Sequence, residues 1–211
     1  MNTKEIKEQK QGLHLTDRQR AIIVGLILGD GHLETQNDGK TYRLKVEHTE
    51  SQSDYVHWLF NELREWIPAT LPYLKVRANG ERNVGFNTYS HASLRFYGHQ
   101  FYDDKKKNIP KMIAKLVEPI SIAVWFMDDG SRKSARHHTY NIHTLGYSKT
   151  DLELLQDMLK KRFGISAVMH RQKEKYWRLY IPSESSATFA VLIDEYVRSI
   201  QSMSHKLITH A

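Results

Sequence analysis

The sequence predicts an α+β fold made of two tandem, pseudo-symmetric αββαββα repeats, each with its own antiparallel sheet. Two strongly apolar helices, over 21–29 and 120–127, end in Asp-Gly, and the two aspartates, Asp30 and Asp129, stand 99 positions apart. A similar order of alternating and amphipathic segments follows each helix. A period this long excludes a solenoid repeat and indicates a duplicated domain.

Composition limits the function classes. The 211 residues include 31 Lys plus Arg against 24 Asp plus Glu, so the formal net charge is +7 and favours a polyanionic partner. Cysteine is absent, which excludes disulfide scaffolds, cysteine zinc sites and thiol catalysis. No apolar run is long enough to span a membrane, and no secretory signal opens the sequence. We therefore expect no membrane partner and an intracellular protein, in a bacterial cytoplasm or an organelle.

The domain boundaries follow from helix caps and changes in composition. We expect an N-terminal arm over 1–15, a first half over 16–108, a linker over 109–118 and a second half over 119–211. Thr16-Asp17 is a helix N-cap signal, and the glycine after each motif aspartate is a C-cap signal.

Each motif helix is followed by an alternating strand, at 42–49 and at 139–144, and both strands end in His-Thr. Next comes an amphipathic helix with apolar residues three or four apart, marked by Val56, Leu59, Phe60, Leu63 and Ile67 or by Leu152, Leu155, Leu159 and Phe163. Two further strands complete each sheet, and the later strands are predicted at 93–97 and 175–181 from a shared Arg-apolar-Tyr pattern.

One face of each sheet packs on helices, and the other is rich in Arg, Lys, Tyr, Asn and His. Such side chains bind bases and phosphates, although an ordinary solvated sheet surface explains the same pattern. On the nucleic-acid interpretation, the expected DNA-binding residues are Arg43, Lys45, Glu47, Lys75, Arg77, Arg95, Tyr97, Asn141, His143, Arg171, Lys175, Arg178 and Tyr180.

Asp30 and Asp129 stand at helix C-termini, where the helix dipole disfavours an acid by about 0.3–1 kcal/mol. Asp-Gly is also a common turn signal, which explains one instance better than two. If the two helices pack together on a pseudo-twofold axis, both carboxylates meet at their ends. Paired carboxylates there form a natural Mg²⁺ site for phosphodiester displacement.

The two motifs resemble those of the LAGLIDADG homing endonucleases. Ile23-Val24-Gly25-Leu26-Ile27-Leu28-Gly29-Asp30-Gly31 is similar to the first motif, and Ile122-Ala123-Val124-Trp125-Phe126-Met127-Asp128-Asp129-Gly130 is similar to the second. The second motif resembles the branch that includes the yeast mitochondrial omega-intron endonuclease, as do stretches at 39–42, 106–110 and 206–207. The resemblance covers residues 16–211.

This resemblance implies a monomeric endonuclease whose motif helices form the interface between the halves and whose sheets form a saddle over a long, asymmetric double-stranded DNA target. Cleavage would cross the minor groove and leave short 3′ overhangs. Two or three Mg²⁺ ions, replaceable by Mn²⁺, would be bound by Asp30 and Asp129, helped by the backbone oxygens of Gly29 and Asp128. Lys107 and Lys206 would polarise solvent or stabilise the phosphorane, and with the two acids they form the expected catalytic set.

Several alternatives stay open at this level. Asp128 competes with Asp129 for the role of metal ligand, and Lys106 competes with Lys107. The first motif has Gly25 and Gly29 where the second has Val124 and Asp128, so helix packing at the axis should be asymmetric. A group I intron RNA maturase or a catalytically inactive DNA-binding regulator would use the same fold. His137-His138 lacks the further ligands of an HNH nuclease.

Overall fold

The structure is a computed structural model that describes residues 8–134, 137–172 and 176–207. In the first half the chain forms α1 (Asp17–Leu28), β1 (His32–Glu34), β2 (Arg43–Thr49), α2 (Ser53–Glu62), β3 (Tyr73–Val76), β4 (Arg82–Asn87) and α3 (Arg95–Phe101). A short hairpin, β5 (Tyr102–Asp103) and β6 (Lys106–Lys107), follows. The second half forms α4 (Pro119–Asp129), β7 (Gly130–Ser134), β8 (His137–His143), α5 (Lys149–Phe163), β9 (Val168–Gln172), β10 (Tyr176–Ile181) and α6 (Ser183–Arg198).

The αββαββα order predicted for both halves is confirmed. The two four-stranded sheets are antiparallel and have matching strand orders, β1-β2-β4-β3 and β7-β8-β10-β9. Helices cover one face of each sheet, and the apolar residues of both halves join in a single core. No helix in the described part of the chain is long and apolar enough to cross a membrane.

The strand predicted at 93–97 is wrong. Residues 92–94 form a 3₁₀ turn, and α3 begins at Arg95. The buried side chains are Leu94, Tyr97 and Phe101, which stand three and four positions apart and therefore follow a helical period rather than a strand period. The sheet is completed instead by β3 and β4, joined through a turn in which Gly80 has a φ of 83°.

The motif helices α1 and α4 lie at the centre of the core. Every residue of α1 from Ala21 to Leu28 is buried, as is every residue of α4 from Ile120 to Met127. A capping box between Thr16 and Gln19 begins α1, with hydrogen bonds of 3.2 and 3.1 Å. The segments 21–28 and 120–127 are apolar on all sides of the helix, which explains why both are enclosed in the core.

Glycines let α1 and α4 approach closely. A Cβ added to Gly25 would lie 2.6 Å from the backbone oxygen of Ser121 and 2.8 Å from Cβ of Val124. A Cβ added to Gly29 would lie 2.4 Å from a carboxylate oxygen of Asp128. The expected asymmetry is confirmed: each glycine of the first motif faces the larger side chain of the second motif, so the two surfaces are complementary.

Gly25→Ala should destabilise the protein, because the added methyl group must push α1 and α4 apart. We expect the free energy of unfolding to fall by about 1–3 kcal/mol, the usual cost of overpacking, although alanine is the better helix former. Urea denaturation measures the change. Gly12→Ala is the matched control, since a Cβ there meets nothing within 4 Å. Equal stability of the two variants would contradict the close helix packing.

Candidate active site

The C-terminal ends of α1 and α4 bring three acidic side chains together. Asp30 follows the end of α1, whereas Asp128 and Asp129 are the last two residues of α4. The side chain of Asp30 is 55% exposed, and that of Asp128 is 0% exposed. The three acids therefore meet water to different extents.

The Asp128 carboxylate is bound within the protein. One oxygen accepts a hydrogen bond from the backbone N–H of Asp30 at 2.9 Å, and the other accepts one from the Tyr55 hydroxyl at 2.8 Å. His48 Nε2 lies 3.6 Å from the second oxygen. Burial raises the pKa of Asp128 to about 6, and the charge of Asp30 also raises it, while His48 and these hydrogen bonds lower it. This carboxylate is therefore committed to internal contacts.

The Asp129 carboxylate has no hydrogen bond to any residue that the structure describes. It lines a cavity of about 230 Å³ together with Leu28, Gly29, Lys107 and His143. Burial raises the pKa of Asp129 to about 8, and the charges of Asp128 and Asp30 add to this effect. Lys107 and Lys206 lower it. A carboxylate that lacks partners and is repelled by its neighbours is available to a cation.

A lysine reaches each motif from its own half. Lys107 Nζ donates to the backbone oxygen of Gly29 at 2.6 Å. Lys206 Nζ donates to the backbone oxygen of Met127 and lies 3.4 Å from that of Asp128, the residue equivalent to Gly29. Burial lowers the pKa of both lysines, and the three aspartates raise it. Lys106 is exposed, so Lys107 is the lysine that the β6 strand directs at the motif.

Two residues of this cluster, His48 and Tyr55, were missed at the level of the sequence. Potential metal-binding atoms of Asp30, His48 and Asp128 all lie within 4.8 Å of one another. His48 shares the core-facing side of β2 with Leu44 and Val46 and is only 7% exposed. Two sequence signals could have identified His48: it is a polar residue on the apolar side of an alternating strand, and it belongs to the His-Thr end shared by the two halves.

The open face of the first sheet carries Arg43, Lys45, Glu47 and Lys75, as the strand registers show. Acids and cations are paired on this face. Glu47 accepts hydrogen bonds from Tyr73 at 3.1 Å, Asn83 at 3.1 Å and Arg77 at 3.0 Å. Arg43 forms an ion pair with Glu34 at 2.7 Å. The carboxylates thus hold these arginines in fixed positions.

The open face of the second sheet carries no such pairing among the residues that the structure describes. Arg178 lies beside His143 and His170 in register, and Tyr180 lies beside Asn141. Ser131 and His143 are hydrogen-bonded at 3.2 Å, and Lys133 stands over the Tyr180 ring. This face therefore offers cations that no carboxylate among the described residues neutralises.

Three of the described residues that were expected to bind DNA are not brought to these faces. Arg95 and Tyr97 lie on α3, and Tyr97 is only 3% exposed. Arg171 pairs in register with Trp177 and so lies on the opposite side of the sheet from Arg178. Lys175 lies outside the described residues.

Known proteins are similar to this chain in sequence and in fold. The family model for LAGLIDADG DNA endonucleases matches residues 20–189. A probable intron-encoded endonuclease of Wickerhamomyces canadensis is 28% identical over 217 residues, covering 98% of this chain and 91% of that protein. The cytochrome b mRNA maturase bI2 of Saccharomyces cerevisiae is 25% identical over 201 residues, covering 89% of this chain and 46% of that protein. The homing endonuclease I-WcaI bound to its DNA recognition sequence superimposes with a TM-score of 0.88 at 25% identity, covering 100% of this chain and 95% of that one.

The chain therefore belongs to the LAGLIDADG DNA endonuclease family, as the two motifs predicted. Its fold is the α+β fold of that family, with the motif helices at the centre and one antiparallel sheet in each half.

Asp129→Asn should stabilise the metal-free protein increasingly as the pH rises. The pKa of Asp129 is about 8 in the folded state against an ordinary value of 3.8, so between these values the folded state holds a proton that the unfolded state has lost. Stability of the native sequence therefore falls across this window, and asparagine removes the loss. We expect a gain of about 1–3 kcal/mol at the upper end.

Thermal unfolding in EDTA, at several pH values across the window, measures this difference. Asp157→Asn is the control, since Asp157 is 68% exposed and lies away from the cluster on α5. A stability difference between Asp129→Asn and the native sequence that stays flat with pH would contradict the electrostatic description of the site.

Proposed function

We propose that the protein is a site-specific homing endonuclease that makes a double-strand break by Mg²⁺-dependent phosphodiester hydrolysis. One observation carries this proposal: each motif end holds an acid and is contacted by a lysine that is at least partly buried, and the two ends lie next to each other. The open faces of both sheets carry cations suited to a DNA backbone. The homing endonuclease I-WcaI, which superimposes on this chain, binds a DNA recognition sequence, and this similarity supports the same substrate.

The donor set fits a hard divalent cation. Carboxylates and backbone oxygens are the ligands that Mg²⁺ prefers, and Mn²⁺ accepts them as well. The carboxylates of Asp30 and Asp129 would hold the ions, with the backbone oxygens of Gly29 and Asp128 as further donors. The Asp129 carboxylate accepts no hydrogen bond from the described residues, and this observation and the mutual repulsion of the three acids support the assignment. When bound, such ions stabilise the attacking and leaving oxygens of an in-line displacement.

The protein's own residues provide the remaining electrostatic stabilisation. Lys107 and Lys206 hold their ammonium groups beside the motif ends through backbone oxygens. A fixed cation that faces a phosphate favours the negative charge that develops in the transition state. Each half supplies one acid and one lysine, and the two strands of a duplex are related by a twofold axis. We infer that one set serves each strand.

The sheets would provide target recognition. Two open faces, one in each half, suit a long and asymmetric target, because the two faces differ in sequence. A monomer with its two active centres adjacent on the central axis would cut both strands close together, in keeping with short 3′ overhangs.

A second candidate is RNA binding as a group I intron maturase. The observation in its favour is the similarity to the cytochrome b mRNA maturase bI2 along 89% of this chain. A catalytically inactive DNA-binding regulator is the weaker alternative, since Asp30, Asp129, Lys107 and Lys206 are all present.

Cleavage of a randomised DNA library by the purified protein in Mg²⁺ tests the proposal. Sequencing the new ends gives the target and the overhang together, with EDTA as the metal control. We expect double-strand cuts at one long site that disappear in EDTA. Selective retention of DNA or intron RNA without any cut would replace the endonuclease with the regulator or the maturase.

Asp30→Asn and Asp129→Asn should each abolish double-strand cleavage, because each removes a metal ligand. DNA affinity should stay within about twofold, because neither variant changes a residue on the open sheet faces that would contact DNA. Cleavage assays and gel-shift titrations measure the two quantities. A double variant that still cuts would contradict the assignment of the acids.

Glu47→Gln should strengthen non-specific DNA binding and make it more dependent on salt. The substitution removes the acid that Arg77 contacts and Lys75 approaches at 4.0 Å, so both cations become free to bind phosphates. We expect the slope of log affinity against log salt to steepen by about one phosphate contact. Glu153→Gln on the exposed surface of α5 is the charge-matched control. An unchanged slope would place the first sheet away from the DNA.

A further inference from the structure

We propose that Tyr55 is a positioning residue that orients Asp30 through the carboxylate of Asp128 and thereby sets the cleavage rate at one strand of the target. The inference rests on the proposed endonuclease function and adds residues to it that the motif pattern does not contain.

The contacts form a continuous chain between the two halves. Tyr55, on α2 of the first half, donates to Asp128 at 2.8 Å. Asp128, on α4 of the second half, accepts the backbone N–H of Asp30 at 2.9 Å. Asp30 thus has its backbone held by the opposite half, although its own side chain stays open to solvent.

This chain exists because residue 29 is glycine. The Asp128 side chain occupies the space where a Cβ on residue 29 would lie, at 2.4 Å from a carboxylate oxygen. The position equivalent to Asp128 in the first motif is Gly29 itself, which has no side chain. The repeat therefore supplies no equivalent carboxylate for Asp129, and the contact is confined to one of the two acids.

His48 completes the enclosure of the carboxylate. Its ring packs against Tyr55 with centroids 5.1 Å apart. Nε2 lies 3.6 Å from Asp128, and Nδ1 lies 3.9 Å from Asp30. Because the His48 side chain is buried, water has little access to the Asp128 carboxylate from this side.

The second half has a tyrosine near the same place with a different partner. Tyr147 lines the same cavity as Asp129, but its hydroxyl donates to the backbone oxygen of Leu28 at 3.0 Å, a main-chain atom of α1. Each tyrosine crosses to the opposite motif helix, but of the two only Tyr55 donates its hydroxyl hydrogen bond to an acidic side chain. The two catalytic centres are therefore supported differently.

Tyr55→Phe tests the proposal, because it keeps the ring and removes the hydroxyl that donates to Asp128 at 2.8 Å and lies 3.5 Å from the backbone oxygen of Val124. Single-turnover cleavage is measured on duplexes labelled on either strand. Residues that orient metal-binding groups contribute about 10–100-fold, so we expect cleavage of one strand to slow about tenfold. The other strand should change less than twofold, and nicked DNA should accumulate.

Tyr89→Phe is the matched control. Tyr89 is also buried in the first half, and its hydroxyl donates to Gln9 at 2.8 Å, away from the motif ends. It should leave the ratio of the two strand rates unchanged. Equal slowing of both strands by Tyr55→Phe would show a general structural role and overturn the proposal, as would unchanged rates at both strands.

A measurement without catalysis separates this inference from the endonuclease proposal. An N–H that donates to a carboxylate has a distinctive amide chemical shift, so the ¹H–¹⁵N resonance of Asp30 should move in both Tyr55→Phe and Asp128→Asn. Asp128→Asn should also slow cleavage of the same strand as Tyr55→Phe. Either variant therefore tests the proposal if the other one folds poorly. If the native protein cuts nothing, the endonuclease proposal fails while the resonance still tests the contact. A resonance that moves in neither variant overturns the contact itself.

Discussion

The close packing of the two motif helices determines the rest of the structure. Gly25 and Gly29 of α1 receive Val124 and Asp128 of α4, and Ser121 Oγ adds a hydrogen bond to the Ala21 oxygen at 2.8 Å. Protein interiors are close-packed and have low compressibility, so helices packed in this way end at fixed positions. The motif acids lie at the end of α4 or just after the end of α1, and the sheets attach to the same helices. One interface therefore fixes both the acidic cluster and the arrangement of the two open sheet faces.

That arrangement has an electrostatic cost. Three carboxylates converge where helix dipoles already place partial negative charge, and burial raises the pKa of Asp128 to about 6 and that of Asp129 to about 8. Lys107 and Lys206 offset part of this repulsion, although burial also disfavours their own charge. A cluster of this kind is unfavourable for folding and favourable for binding a cation, as is common at functional sites.

The sequence predicted the parts of the molecule that depend on local pattern. The apolar motif helices, the amphipathic helices after them and the repeated αββαββα order are all encoded in spacing. Asp30 and Asp129 stand in the two motifs, whereas Lys107 and Lys206 come from the family resemblance, and the catalytic roles of all four stay predictions. Placement of 93–97 failed because four residues, Leu94-Arg95-Phe96-Tyr97, fit both periods and the deciding residue, Phe101, lies beyond them. The assignment of Arg171 to the open face was wrong because the side of the sheet on which it lies depends on its register with Trp177. His48 and Tyr55 reach the centre only through tertiary packing.

We propose that the ends of α1 and α4 form adjacent cation-binding sites beneath bound DNA. A crystal structure with a target duplex and Mn²⁺ tests this proposal most directly, if anomalous diffraction data are collected to locate the manganese ions. We predict anomalous peaks beside the carboxylates of Asp30 and Asp129, with the duplex lying across the open faces of both sheets. Peaks confined to other sites, or a duplex bound to the helical side of the molecule, would contradict this account.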